Sequence, residues 1–317
     1  MKPKIIIIGA SGFVGAGIFE FLTKENFPVI GIGRKSNPWR ITPELKSNYR
    51  SVENIDLFSL LNEEKPQVII NLAASGAYSF QNDFSAMVNS NLLFLEKIAK
   101  WSIENKCYLI NTGSSSEYGI NSARPKEDSI SKPNSLYAIT KLAGTNLLEF
   151  YSSLGIQSVV LRLYSVYGPK EDPSRLMPAV MRGVIKGDWP SFTDSTVSRD
   201  FVYLDDISQL MVKLIEQKED KSNGNFNIYN VGTGNKTSIG DLTDLLKSEF
   251  GMSKIEVNKF PKRKWDVEEW YANIDKITTE LDWRPIFDLK NGISKMKNWY
   301  LMEDNVKYLD NEYSEKK

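Results

Sequence analysis

The run Ile5-Ile6-Ile7-Ile8 leading into Gly9-Ala10-Ser11-Gly12-Phe13-Val14-Gly15 constrains this chain more than any other segment. Four consecutive β-branched residues read as a strand buried on both faces. The glycines at 9, 12 and 15 then have separate tasks: one makes the tight turn out of the strand, one admits a pyrophosphate to the backbone, and one lets the next helix pack closely on the strand. That helix, expected from Gly12 to Glu25 with Ile18, Phe21 and Leu22 on its apolar face, aims its positive end at the phosphates. Among 20 glycines in 317 residues such a triplet arises by chance. The strand before it and the amphipathic segment after it make this one a dinucleotide turn.

Strand-like runs recur at 5–8, 29–32, 68–72, 108–112 and 159–163, with helical segments between them. This alternation predicts an α/β fold, a Rossmann-type doubly wound parallel sheet covered on both faces, with a smaller C-terminal substrate lobe. The longest helices are expected at 82–105 and 134–154. Beyond Val166, Pro169, Pro173, Pro178 and Pro190 break the chain into short pieces. The expected division assigns residues 1–168, with about 200–234 returning, to the dinucleotide domain, and about 169–199 and 235–317 to the lobe. A strand at 226–231 closes on Gly232-Thr233-Gly234, a helix follows at 238–250, and the charged tail from Glu303 reads as frayed.

Forty basic and forty acidic residues cancel, leaving no global field to attract nucleic acid or an anionic membrane. Gly9, Ser11 and Gly12 interrupt the N-terminal apolar stretch, so it reads as a strand, not a leader. No stretch approaches the ~20 apolar residues that span a bilayer. The single Cys107 excludes an internal disulfide framework and fits a reducing, cytoplasmic setting. Histidine is absent altogether, which removes imidazole metal sites and Ser-His-Asp triads. No metal is expected, and proton chemistry falls to Tyr, Lys, Asp, Glu or the lone Cys.

Downstream of the fourth of these runs stand Asn111-Thr112-Gly113-Ser114-Ser115-Ser116-Glu117-Tyr118-Gly119 and Tyr137-Ala-Ile-Thr-Lys141. With 14 tyrosines a Tyr-x-x-x-Lys spacing is cheap, and Tyr313 with Lys317 supplies a decoy. Tyr137, however, lies near the start of a long helix, where a four-residue spacing puts both side chains on one face. A phenol titrates near pH 10, too high for easy proton exchange at neutrality. A neighbouring ammonium lowers it, and a serine hydroxyl from a strand end steadies the same reacting oxygen.

With these motifs in this order, the chain resembles the extended short-chain dehydrogenase/reductase superfamily of nucleotide-sugar epimerases, dehydratases and reductases. The resemblance extends through Val68-Ile-Ile-Asn-Leu-Ala-Ala74, Leu161-Arg-Leu-Tyr-Ser-Val-Tyr-Gly-Pro169, Arg199-Asp-Phe-Val-Tyr-Leu-Asp-Asp206, Tyr229-Asn-Val-Gly-Thr-Gly234 and Asp282-Trp-Arg-Pro285. It implies Tyr137 as acid/base, Lys141 as its partner and nicotinamide-ribose ligand, and Ser114 as the holder of the reacting oxygen. The cofactor would rest on Gly9, Ser11, Gly12, Phe13, Val14 and Gly15, with Gly33, Arg34 and Lys35 at the ribose, Asp56 and Leu57 at the adenine, and Leu72, Ala73 and Ala74 alongside. The nucleotide-sugar substrate would meet Ser115, Ser116, Tyr164, Ser165, Arg175, Arg199 and Arg263, although Lys262-Arg263-Lys264 equally reads as a solvated charge run.

Departures from the family pattern narrow the expectation. Gly33 stands where NAD-using relatives carry the acidic ribose ligand, and Arg34-Lys35 follow, so NADP(H) is favoured with NAD(H) as the alternative. Ser115 and Ser116 occupy the places of the dehydratase acid pair, with Glu117 one residue late. Ser116 stands where GDP-fucose synthases place a cysteine, and their histidine has no counterpart here. Ser165 replaces a common asparagine and Asn71 a common histidine. The expected reaction is therefore NADPH-dependent reduction of a nucleotide-linked 4-keto-6-deoxysugar. The alternatives are a 4-epimerase with retained cofactor and, more remotely, a non-catalytic cofactor-binding protein. A homodimer is expected through the apolar positions Met87, Leu92, Leu95, Ile98, Leu142 and Leu148.

Overall fold

The isoleucine run forms β1 (Ile5–Ile8), with all four side chains buried, as a strand covered on both faces requires. The computed structural model describes residues 2–78, 80–217, 226–252, 267–302 and 304–314. After β1 come α1 (Phe13–Lys24), β2 (Val29–Gly33), β3 (Tyr49–Ser51), α2 (Leu57–Glu64) and β4 (Val68–Asn71). Then follow α3 (Phe84–Val88), α4 (Phe94–Glu104), β5 (Tyr108–Ser114), α5 (Leu136–Ser152) and β6 (Ser158–Leu163). Shorter pieces come next: β7 (Ser165–Tyr167), α6 (Leu176–Lys186), β8 (Ser198–Arg199) and β9 (Phe201–Tyr203). They lead to α7 (Leu204–Glu216) and β10 (Phe226–Val231).

Seven strands join in one sheet of order β10-β6-β5-β4-β1-β2-β3, every pair parallel. This is the doubly wound Rossmann-type architecture. The strand order reverses between β1 and β4, and in such sheets the crevice beyond the strand ends at that point receives the ligand. Alternation along β1 separates its two faces: Ile5 and Ile7 pack with Phe19, Leu22 and Leu210, whereas Ile6 and Ile8 pack with Leu95, Ile98 and Leu148. Each buried isoleucine contributes roughly 1.5–3 kcal/mol.

A third cluster lies off the sheet. Met177, Val180 and Met181 of α6 meet Leu242 and Leu246 of the helix after β11 (Thr237–Ser238), α8 (Ile239–Phe250). The chain then returns to the sheet: in α9 (Asp275–Leu281) Ile277 and Leu281 join the cluster on the Ile5 face, and α10 (Leu289–Leu301) goes back to the third cluster through Ile293 and Met296.

Several local expectations are corrected. The helix expected across 82–105 is interrupted by a π turn at Asn89–Leu93. There the Asn91 side chain accepts from the Ser75 amide (2.9 Å) and donates to the Ser75 carbonyl and Thr140 Oγ1 (both 2.9 Å), drawing the turn toward β4's exit and α5. The tail is not frayed where it is described: two 3-10 turns at Asn305–Leu309 and Asn311–Tyr313 bury Leu309, and Tyr308 stacks on Trp39. Of the positions proposed for a dimer contact, Met87, Leu95, Ile98 and Leu148 are buried within the single chain. The exposed apolar residues on these helices are others, among them Phe84, Leu93, Ile139 and Phe150. No helix among the described residues is long and apolar enough to cross a membrane.

Candidate active site

The glycine turn is as tight as its spacing requires. Gly9 has φ +89°, and a Cβ there would lie 2.8 Å from the Ala73 amide nitrogen. A Cβ on Gly15 would lie 2.2 Å from the Gly9 carbonyl oxygen, so α1 sits directly on the strand exit. Gly12, just before α1, is exposed. Phe13 and Val14 open α1 half-buried, and Leu72, Ala73 and Ala74 run alongside at the exit of β4. Backbone amides at a helix start with no side chain above Gly12 fit a pyrophosphate. Asp56 is the N-cap of α2, its Oδ2 accepting from the Ser59 amide (2.7 Å), with Leu57 buried beneath it. Gly33 ends β2, while Arg34 and Lys35 are exposed on the loop beyond.

At the end of β5, Ser114 caps a short 3-10 turn, Ser115–Tyr118. Its Oγ accepts from the Ser116 amide (3.2 Å), while its own amide donates to Glu117 Oε1 (2.8 Å). Ser135 caps α5 in the same manner, which places Tyr137 in the first turn and Lys141 one turn later. The Ser114 hydroxyl is close enough to the Tyr137 phenol to draw its titration down. Ser114 also shares a 2.7 Å bond with Ser116 Oγ, so three hydroxyls converge beyond the strand end.

The electrostatics differ from the expected lowering of the phenol by Lys141. Burial pushes Tyr137 up; the Ser114 hydroxyl draws it down, Glu117 pushes it up again and Arg175 lowers it. Lys141 donates from Nζ to the Thr112 carbonyl (2.5 Å) and is pushed down to about 8 by burial, against the attraction of Glu117. The physical reason is desolvation, which disfavours both phenolate and ammonium in a dry setting.

Glu117 is fully buried and entirely committed. Besides the Ser114 amide it accepts from Thr145 Oγ1 (2.9 Å) and from Arg162 Nε (2.8 Å). Arg162 also donates to the Tyr118 hydroxyl (2.7 Å), which in turn donates to Asn230 Oδ1 (2.8 Å). A carboxylate in this position anchors the strand end and is closed to the reacting centre.

The remaining expected substrate residues separate into groups. Ser115 is buried and accepts from Trp270 Nε1 (3.0 Å), and the Arg199 guanidinium lies 5.0 Å from the Trp270 ring centroid. Arg175 is exposed at the N-cap of α6, 4.9 Å from the Tyr78 ring. Tyr164 is buried, and its hydroxyl has no hydrogen-bond partner among the described residues. Ser165 is half-buried, its amide bonded to the Asp200 carbonyl (2.9 Å). Arg263 lies outside the described residues. Sequence reasoning missed Trp270 and Tyr78, which stand in no motif. It also missed Asp200, whose carboxylate accepts from the Thr233, Gly234 and Ala272 amides; its place between Arg199 and Phe201, in a matched segment, was the available signal.

The doubly wound sheet with its glycine turn at the exit of β1 is a dinucleotide-binding fold. The chain belongs to the NAD dependent epimerase/dehydratase family, whose model matches residues 5–232. It is 29% identical over 311 residues to a putative UDP-glucose 4-epimerase of Methanocaldococcus jannaschii, covering 93% of this chain and 97% of that one. It is 29% identical over 333 residues to UDP-glucuronate 4-epimerase 4 of Arabidopsis thaliana, covering 94% and 75%. The solved UDP-glucuronic acid 4-epimerase of Bacillus cereus, in complex with UDP-glucuronic acid and NAD, superposes with a TM-score of 0.80 at 28% identity, covering 93% of this chain and 98% of that one.

Proposed function

We propose that the protein is a nucleotide-sugar 4-epimerase that works with NAD and takes a UDP-linked hexose or hexuronic acid. The observation that carries this reading is the Tyr137–Ser114 pair at the end of β5, flanked by a Glu117 already committed to Arg162. Inversion at one carbon needs a single proton carrier, whereas dehydration needs a further free acid or base. The relatives favour inversion over the ketoreduction expected from the sequence, and NAD over NADP.

When bound, the nicotinamide supplies reversible removal of hydride from C4. Tyr137 takes the C4-hydroxyl proton as the carbonyl forms and gives it back on re-reduction, while Ser114 holds that oxygen. Lys141, on the same face of α5, serves as the ribose ligand. Arg199, stacked on Trp270, meets the diphosphate, with Arg263 as a further ligand. Exposed Phe84, Leu93, Ile139 and Phe150 support a homodimer through α3, α5 and the turn between α3 and α4.

The ketoreductase remains the second reading because Gly33 lacks the ribose carboxylate and Arg34 follows it. Incubation with UDP-glucuronic acid or UDP-glucose and NAD, followed by NMR, is expected to show C4 inversion with no net change in nicotinamide absorbance. Stoichiometric consumption of NADPH by a 4-keto sugar, with no inversion of either UDP-sugar, would sink the epimerase. Tyr137→Phe is expected to lose roughly 10²–10⁴-fold in turnover while still binding the dinucleotide.

A further inference from the structure

The space above Gly33 is occupied by a tyrosine hydroxyl. A Cβ on Gly33 would lie 2.3 Å from the Tyr49 hydroxyl oxygen, 2.5 Å from Ser11 Oγ and 2.8 Å from Ser11 Cβ, all inside van der Waals contact. Tyr49 comes from β3, which pairs with β2 through Gly31 and Gly33, and it is only 8% exposed. Its hydroxyl donates to the Lys35 carbonyl (2.7 Å) and faces the same space above Gly33 as the Ser11 hydroxyl. One oxygen therefore lies between the turn that cradles the pyrophosphate and the loop that follows β2. It stands where the side chain of an acidic residue at position 33 would begin.

We propose that Tyr49 is a cofactor-specificity residue whose neutral hydroxyl, beside Ser11, replaces the ribose-binding carboxylate, so that the site takes NAD and its 2′-phosphorylated form with comparable affinity. A hydroxyl already donating its proton to Lys35 still has lone pairs to accept from a ribose 2′-hydroxyl. It carries no fixed negative charge to repel a 2′-phosphate, and Arg34 stands exposed two residues from the strand's penultimate position. The carboxylate that acts on Tyr49 electrostatically, Glu53, is exposed and accepts the Ser36 hydroxyl (2.5 Å), so solvent screens it. Bulk and charge thus act together: Tyr49 both removes the acid and excludes its return.

The test is dinucleotide binding with no sugar present, by titration calorimetry, so its outcome is independent of whether the reaction is epimerisation or reduction. Wild-type Kd values for NAD and NADP are expected to differ by less than tenfold; a difference of tenfold or more overturns the proposal. Tyr49→Phe keeps the ring and the fold, verified by thermal melting, and is expected to weaken NAD roughly 2- to 10-fold. Unchanged NAD affinity in that variant overturns the ribose role. Gly33→Asp is expected to lose binding of both cofactors through the clash. The double variant Gly33→Asp with Tyr49→Ala lifts the closest contact but leaves Ser11 Cβ 2.8 Å away, so it is expected to bind NAD more tightly than Gly33→Asp alone without reaching wild-type affinity, and to reject NADP by more than tenfold. Wild-type-like NAD affinity in Gly33→Asp alone, or no recovery in the double variant, contradicts the steric argument.

Discussion

Glu117 and Glu171 are both buried acidic residues, yet their surroundings are opposite. Glu117 has a donor for each oxygen: the Ser114 amide on one, Thr145 and Arg162 on the other. Glu171 sits where the loop after β2, the Pro169–Arg175 segment and the tail come together, and its Oε2 has no hydrogen-bond partner among the described residues. Burial pushes Glu171 up to about 8; Arg175 and Arg40 oppose the shift and Asp172 adds to it. A buried charge is tolerated when its oxygens are met by donors, and otherwise the group keeps a proton. The first arrangement fixes the strand end that carries Ser114; the second leaves a titrating group beside Arg175, whose charge also reaches Tyr137.

The contrast can be broken at its strong end first. Glu117→Ala strands the Arg162 guanidinium in the interior and is expected to cost about 3–5 kcal/mol in urea unfolding. A cost below about 1 kcal/mol would mean that water reaches Arg162.

Glu171→Gln is expected to act in the opposite sense. A carboxyl whose folded-state pKa is raised contributes stability fully below about pH 4.5 and loses it as pH rises through about 8. The variant, which does not titrate, should therefore gain on wild type by roughly 2–4 kcal/mol between pH 5 and pH 9. A stability difference that stays flat across that range would show that Glu171 is already ionised at pH 5.

Tyr118→Phe sharpens the comparison within the satisfied network. It removes the acceptor of Arg162 and the donor to Asn230, for an expected loss of about 1.5–3 kcal/mol in the same unfolding assay. The smallest effect concerns the tail: Ser314→Ala deletes a 3.2 Å bond to Asp172 Oδ1, which also accepts the Ser174 hydroxyl. A change near 0.5 kcal/mol is expected, and a loss above about 2 kcal/mol would make the tail contact a principal support of this corner.

The parts legible in the sequence are those with short-range causes. The Ile5–Ile8 strand, the Gly9–Gly15 turn and the placement of Tyr137 and Lys141 one helical turn apart depend on periodicity, turn chemistry and capping within a few residues. The π turn at Asn89–Leu93 was hidden because its cause, Asn91 reaching Ser75 and Thr140, lies in side-chain bonds across 16 and 49 residues. β3 escaped because three residues, Tyr49-Arg50-Ser51, carry no alternation to read. The charged tail looked frayed because charged residues surround Leu309, which is deeply buried.

Gly33 marks the boundary between the two kinds of information. By itself the sequence determined that the carboxylate is missing at the end of β2, since a single position in a recognisable strand-turn-helix unit suffices for that. It likewise placed Ser114 at a strand exit and Tyr137 and Lys141 one turn apart at a helix start, because those positions are set locally. Only the tertiary structure decided that Tyr49 fills the gap and that Glu117 pairs with Arg162, 45 residues away. A side chain's chemistry depends on its partners in space, and pairing across separate strands brings those partners together at separations that local patterning does not encode.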